Sequence, residues 1–573
     1  MMNSCKHKNE SKQDLDKDFG NMQEMSNATY IDEENTKKSA STKLIKLIAD
    51  TELFYDELGD VYATIKTNGH YETWVIESKQ FQDWLSHSYW EKYKRALNRN
   101  SLQEALNTIQ GKARFNGKCH KVFNRIGYDN TAIYINIADD EKHVIKITQE
   151  KWEILKSSPV KFKCSRNMMS LPLPQKNGNI NELWSFINIP KQYQCLVLAW
   201  MLECLRPDTH FPILILTGSQ GSAKSTTQEI LRKLIDPSKS NLRSAPKKSE
   251  DMLVAAANNW LVSFNNLSHL TKAQQDDLCS LSTGGGFATR KLYTTAEEEV
   301  FDIKRPVILN GINDLVTAQD LIDRCICIDL LQITDNQRKT DAELKTEFSK
   351  AYPRIFGALL DILVLTLRQI PNVDLQKKPR MADFAILGVA LERASGWKAG
   401  TFRSTYELNR KENITSVMEH SPVIIALTKY IEDNFNYEGT YSELYKILTD
   451  KYKPDMGGWP KSAKGLAQTI KCQMPALAII DIEVVFDVRR KKDGYHIYIA
   501  KSEPKVHQAH QIHQISNNAE LTDVHTHESS NKLTANSSKV HRQITQYQQP
   551  NEHNEHGELQ KENDTYEDIL TIF

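Results

Sequence analysis

The sequence has no surplus of charge, no CxxC pair and no long apolar run, and each lack excludes a class of protein. Lys and Arg total 73, Asp and Glu total 73, and the formal net charge is zero. No global basic field advertises nucleic acid, so any site for it must be a local patch. Nine cysteines are scattered over 573 residues, and only Cys325 and Cys327 lie close together. That argues against a zinc ribbon or a disulfide scaffold and for a reducing compartment. No N-terminal apolar stretch reads as a secretory signal. The longest apolar helix candidates, around Cys195 to Leu205 and Leu359 to Leu367, are short for a bilayer span and read as core. The chain is therefore expected in the cytoplasm. Apolar residues make up 40% of the sequence, enough to build cores, and the length suggests about three to four domains.

What is present centres on Gly218 to Thr226, GSQGSAKST. An apolar β-rich run, Ile213 to Leu216, precedes it, and a helical spacing of Ile230, Leu231, Leu234 and Ile235 follows. Strand, glycine-bearing loop and helix form the context of a phosphate-binding loop, Gly218, Ser219, Gln220, Gly221, Ser222, Ala223, Lys224, Ser225 and Thr226. Backbone N–H groups at a helix N-terminus point at an anion, and the helix dipole adds to the attraction. Lys224 would reach the β/γ-phosphates of ATP, and the hydroxyl of Ser225 would hold Mg²⁺. Ala223 stands where a glycine is expected. The plainer alternative is a Gly/Ser turn before an ordinary helix.

Around this loop the chain reads as a multidomain α/β protein. Residues 1–41 are polar and expected to be a disordered arm. Residues 42–180 read as an N-terminal α+β domain. Val61 to Ile76 alternates around Asn68-Gly69 as a hairpin, Ser101 and Glu104 suggest a capping box, and Ile133 to Ile137 and Val144 to Ile147 read as strands about Asp139-Asp140-Glu141. That acidic turn could tempt a metal reading, but it reads better as solvated surface. Residues 165–178 look like a linker.

Residues 181–335 read as the P-loop core. WLVSF, Trp260 to Phe264, is a strand leading to Asn265-Asn266, where the chemistry wants an acid to hold the Mg²⁺ shell and polarise water. Asn265 could act there only through a water. Three glycines and FATRKLY suit a hairpin that presents Arg290 and Lys291 to single-stranded DNA, or an ordinary basic surface turn. Asn310, at the tip of a third strand, could orient the hydrolytic water. Arg324 precedes a fourth strand and could reach a γ-phosphate in a neighbouring subunit.

Residues 336–418 read as a helical lid with a break near Pro353. In residues 419–502, three helices precede a hairpin whose tip carries Arg489, Arg490, Lys491 and Lys492, the winged-helix pattern. Lys461, Lys464 and Lys471 on the third helix could contact phosphate. The alternative is a winged helix used only for protein contact. Residues 503–573 are expected to be a disordered polar tail. Its last residues, YEDILTIF, could dock in a partner's groove.

The runs GSQGSAKST, WLVSFNNLS, LSTGGGFATRKLY, RPVILNGI and DRCICIDL together resemble the superfamily 3-type helicase ATPases of phages, plasmids and genomic islands, which are AAA+-related. The likeness extends to the replication initiators and cassette helicases of staphylococcal islands. It implies an AAA+-like core that binds ATP and Mg²⁺, a homo-oligomeric, hexameric ring, DNA as partner, and a primase or other replication protein nearby. It also implies Lys224 in the nucleotide loop, Asn310 as sensor, Arg324 as a finger, and Arg290 and Lys291 in a pore hairpin. Arg380 would be a lid-sensor arginine. Asn265 departs from the family's Asp. The expected function is that of an ATP-dependent DNA helicase or translocase in mobile-element replication, with a non-hydrolysing, DNA-binding initiator or assembly scaffold as the alternative.

Overall fold

The computed structural model describes residues 39–501, except 68, 164, 291–297, 312–314, 335, 337, 420, 456 and 488–493. The expectations for the N-terminal arm up to residue 38 and for the C-terminal tail lie outside the described residues.

The first unit contains α1 (Ala40–Leu47), β1 (Glu52–Tyr55), β2 (Val61–Thr67), β3 (His70–Val75), α2 (Lys79–Tyr93) and α3 (Arg99–Asn116). Its antiparallel sheet, β1-β2-β3, includes the expected hairpin, closed by the Thr67–His70 pair. Helix α3 starts earlier than the Ser101/Glu104 reading. Asn98 is the cap, and its Oδ1 accepts from the Ser101 N–H at 2.8 Å. Asn caps at least as well as Ser, so the earlier residue takes the position. Leu44, Ile65, Phe81, Leu85 and Ile109 close this unit's own core.

Strand β4 (Val122–Phe123) leads into an antiparallel meander of β5 (Ile126–Tyr128), β6 (Ile133–Asn136), β7 (Val144–Ile147) and β8 (Trp152–Leu155); β9 (Lys161–Phe162) then pairs with β4. Ile126, Ile135, Ile145 and Trp152 do not join the first core. They pack in one cluster with Leu216, Leu231 and Leu359, far along the chain. The stretch expected as a single domain, 42–180, is therefore divided by its packing. Arg125 locks the seam: fully buried, it gives Nε to Asp236 Oδ1 at 3.0 Å and its other nitrogens to the carbonyls of Asn136, Met169 and Pro237. Breaking such a buried, bonded pair typically costs about 3–5 kcal/mol.

After α4 (Gln194–Cys204) comes the central unit: β10 (Ile213–Gly218), α5 (Lys224–Ile235), α6 (Ser249–Asn258), β11 (Val262–Leu267), α7 (Lys272–Thr283), the hairpin strands β12 (Gly286–Arg290) and β13 (Glu298–Asp302), β14 (Val307–Gly311), α8 (Gln319–Ile322) and β15 (Cys325–Leu330). Four strands pair in parallel in the order β11-β14-β10-β15. Burial on both faces explains their near-continuous apolar runs. Leu214 and Leu216 face one core, while Ile213 and Ile215 face the other. Both sheet edges are covered. Arg243 pairs beside β11, its carbonyl accepting from Asn265 N at 2.7 Å. On β15, Asn409 and Asn413 donate to the carbonyls of Cys327 and Cys325 at 2.7 and 3.5 Å.

Those two amides lie on α11 (Thr401–Glu419), which follows α9 (Asp341–Gln369) and α10 (Ala382–Ala394). Helix α9 runs through Pro353 without the expected break. The expected linker is docked on it: Gln175 N–H donates to the Pro353 carbonyl at 2.9 Å. Among the described residues, the stretch from Asp341 to Asn372 is long and apolar enough to cross a membrane, which corrects the expectation from sequence. Phe356, Leu359, Leu360 and Leu363 along it are instead buried in the large core.

The last unit has α12 (Pro422–Asn434), β16 (Asn436–Thr440), α13 (Tyr441–Ile447), α14 (Ala463–Ile479), β17 (Ile482–Phe486) and β18 (His496–Lys501), with an antiparallel sheet β16-β18-β17. The second helix is capped by Thr440 with Glu443, and the third continues past Met474 through Pro475. Leu427, Leu444, Leu466 and Ile499 pack in a cluster that continues onto the Ile213/Ile215 face of the parallel sheet.

Candidate functional site

Parallel strands deliver their C-terminal ends to one side of the sheet, and the glycine-bearing loop lies there. β10 ends at Gly218, and α5 begins at Lys224. The turn needs left-handed backbone at Gly218 (φ 134°), Gly221 (φ 85°) and Ala223 (φ 57°). A side chain at Gly218 would strike the Leu330 carbonyl of the neighbouring strand, 2.6 Å from the position of a Cβ. Ala223 holds a conformation that favours glycine, which is the physical sense of the glycine expected there.

Lys224 Nζ donates to the carbonyls of Gly218 and Ser219, each at 2.7 Å, so its ammonium is held at the loop. Ser222 Oγ donates to the Ser219 carbonyl at 2.9 Å and stiffens the turn. Ser219, Gln220, Gly221 and Ser225 are exposed, and Thr226 is half-buried at the start of the helix.

Beside the loop, β11 carries Asn265 and Asn266 within the strand, which runs on to Leu267, past the Phe264 end of the WLVSF reading. Ser225 Oγ donates to Asn265 Oδ1 at 2.8 Å, and Asn310 Nδ2 donates to the same oxygen at 2.6 Å. Asn310 Oδ1 accepts from the Asn266 N–H at 2.7 Å, and Asn266 is itself left-handed (φ 59°). The ladder shifts register between Phe264 and Leu267, and that bulge turns Asn265 toward the loop. Residues 225, 265 and 310, from three separate elements, thus share one hydrogen-bonded line.

Two side chains that sequence reasoning passed over fix this line from behind. Asn188 donates to the carbonyls of Ser222 (3.0 Å) and Leu331 (2.6 Å), tying the loop to the exit of β15. Buried Gln228 donates to Ser263 Oγ at 2.8 Å and to the Phe264 and Ile308 carbonyls. Its only sequence signal was a polar residue on the buried face of an amphipathic helix.

Arg324 lies elsewhere. It precedes β15, whose register sets Cys325 opposite Ile213 and Leu330 opposite Gly218. Arg324 is six residues from Leu330, so the strand separates it from the loop by about 20 Å. Arg324 is nearly buried, with Nη1 on the Asp320 carboxylate, on the Asp320 carbonyl at 2.7 Å and on Cys279 Sγ at 3.4 Å. Arg380 reaches the other oxygen of Asp320 at 2.7 Å. Partial burial acts to raise the Asp320 carboxyl, but the two arginines hold it below the usual carboxylate range. Arg380 thus sits at the strand-start end beside Arg324, away from this chain's own loop.

Arg290 is the last residue of β12, and Lys291 lies outside the described residues. Lys461, Lys464 and Lys471 are exposed along the approach to and outer face of α14. Arg489, Arg490, Lys491 and Lys492 lie outside the described residues. At the acidic turn, Asp139 accepts from His143 Nδ1 at 2.6 Å, and no group of three metal-ligating side chains occurs among the described residues.

Comparison with known proteins places the chain, by similarity, with the replication proteins of mobile elements. Residues 180–409 match the family model of the actinomycete integrative conjugative element replication protein, and residues 423–514 match that of the RepA C-terminal domain of the same elements. No curated protein matches the chain. Among solved structures, the apo NrS-1 C-terminal region is 12% identical, with 80% of this chain and 99% of that one covered at a TM-score of 0.37. The JCV helicase is 14% identical, with 39% and 66% covered at a TM-score of 0.19.

Proposed function

We propose that the chain is an ATP-dependent DNA helicase or translocase that serves replication of a mobile element. The observation that carries this reading is the convergence of Lys224, Ser225, Asn265 and Asn310 at the C-terminal ends of β10, β11 and β14. ATP would lie on the loop with its phosphates against the N-terminus of α5 and the Lys224 ammonium. The donor set suits Mg²⁺ that arrives with the phosphates: Ser225 offers a hydroxyl ligand, and Asn265 can accept from a metal-bound water. Asn310 would orient the attacking water.

Arg324 cannot serve its own loop from the other end of β15. Its role as a finger therefore requires a neighbouring copy, which favours a closed ring, with six subunits as the family resemblance implies. Turnover in such a ring would move the β12–β13 hairpins, with Arg290 and Lys291, along single-stranded DNA. The C-terminal unit, read as a winged helix, would hold duplex through Lys464 and the basic tip at 489–492.

One observation favours a second reading, a non-hydrolysing DNA-binding initiator or scaffold. The residue facing Ser225 is an amide, which carries no charge and is a poor base. ATP turnover with and without single-stranded DNA, beside a Lys224→Ala control, decides between them. DNA-stimulated turnover that vanishes in the control is expected. Nucleotide binding without turnover would sink the motor and leave the scaffold.

A further inference from the structure

With Arg380 turned away, the phosphate loop has another arginine from its own chain. The segment that leaves β15 passes back over the loop before α9 begins. A Cβ built on Gly221 would lie 3.0 Å from Arg338 Nη2 and 3.9 Å from its Cζ, so the guanidinium rests directly over this glycine. The absence of a side chain at Gly221 permits that approach.

A second feature fixes the same segment there. Thr340, two residues on, caps α9, with Glu343 completing a reciprocal capping box. Asp341, Leu344, Lys345 and Phe348 of α9 then line a pocket of about 190 Å³ with Ser225 and Thr226. The start of the lid helix is thus seated beside the first turn of α5. Asn188, bonded to both Ser222 and Leu331, holds the loop and the strand exit together from the other side.

We propose that Arg338 is a second phosphate-binding cation in cis, which reads the terminal phosphate of a nucleoside triphosphate and transmits its presence to the lid. The inference rests on the nucleotide reading of Gly218 to Thr226. A guanidinium presents a planar fork of donors that matches two phosphate oxygens at once, whereas the Lys224 ammonium acts as a point charge. Lys224 is anchored on the carbonyls at the entry of the loop, and Arg338 lies over its crown at Gly221. The two cations approach the loop from different elements. Arg338 stands two residues before the cap of a helix that runs from Asp341 to Gln369, so a shift of its guanidinium is passed to the lid at the helix's first turn.

The test is equilibrium binding of fluorescent ATP and ADP analogues with Mg²⁺ to the full chain, for the parent, Arg338→Ala, Arg338→Lys and Lys224→Ala. Arg338→Ala should weaken triphosphate binding about tenfold to a hundredfold, the range of a lost charge-assisted bond, and diphosphate binding much less. Arg338→Lys should recover part of the loss. Melting temperature without nucleotide should change little, because substitutions at exposed positions usually stay within about 0.5 kcal/mol. Equal loss for both nucleotides, or no loss for either, would overturn the proposal while Lys224→Ala still marks the loop as the nucleotide site. If the parent binds neither nucleotide, or Lys224→Ala binds as the parent does, the nucleotide reading falls and takes this proposal with it.

Discussion

The two ends of the parallel sheet are built from different materials. Where the strands finish, the backbone does the shaping: three left-handed residues in the loop, another at Asn266, and a line of neutral side chains from Ser225 through Asn265 to Asn310. Where β15 starts, charge does it, with Arg324 and Arg380 on the two oxygens of Asp320 and Arg410 on Asp323 at 3.2 Å. The first end offers an incoming anion oriented dipoles, the Lys224 ammonium and the Arg338 guanidinium over Gly221. The second holds its cations against carboxylates, so they act on an outside anion only by exchanging partners. If the loop takes a nucleotide as proposed above, a single chain carries both halves of that site, but one strand's length apart. The halves can meet only between copies.

The sharpest way to break this comparison is Arg324→Ala. If the strand-start end serves a neighbour's nucleotide, turnover should fall about a thousandfold, as for a lost arginine finger, while nucleotide binding stays near that of the parent. A thermal melt checks that loss of the Asp320 contact has not unfolded the variant. Unchanged turnover would mean that the two ends do not cooperate.

The next effect in size concerns the neutral line. Asn265→Asp puts a carboxylate where Ser225 Oγ now donates at 2.8 Å, and it should raise turnover about tenfold or more if the amide limits the chemistry. No rise would show that hydrolysis does not depend on this position.

The smallest effect concerns the backbone alone. Ala223 is held at φ 57°, a conformation that costs a non-glycine residue about 1–2 kcal/mol. Glycine removes that cost but loses up to about 1 kcal/mol to the freer unfolded chain. Ala223→Gly should therefore stabilise by roughly 0.5 kcal/mol, read from the urea midpoint. A clear loss of stability would mean that the alanine is not strained.

The sequence disclosed the local part of this arrangement. A strand, a loop with two glycines and a helix are contiguous, so their residue types announce them, and the same holds for the hairpin at Thr67–His70 and the three C-terminal helices. Contacts set by packing were not legible. Nothing in Ile126 or Trp152 marks them as belonging to a core with Leu216 rather than with Phe81. The docking of Gln175 on Pro353 depends on two segments that the pattern treats as unrelated. Arg338 is a polar residue in a polar loop, and only the parallel register of β15 with β10 returns that loop to Gly221. The place of Arg380 was hidden for the same reason: its helical context was readable, but which end of the sheet it faces is fixed by the Asp320 pair.

The amides of Asn409 and Asn413 on the outer carbonyls of β15 bear on how copies can associate. An unguarded edge invites another chain to add a strand, the usual start of uncontrolled polymer growth. Here two side chains four residues apart on a helix occupy acceptors two residues apart on the strand, and Arg243 screens the opposite border. Copies of this protein are thereby steered away from merging their sheets into a continuous ribbon. In the ring proposed above they would join through side chains and loops instead, contacts that can form and release.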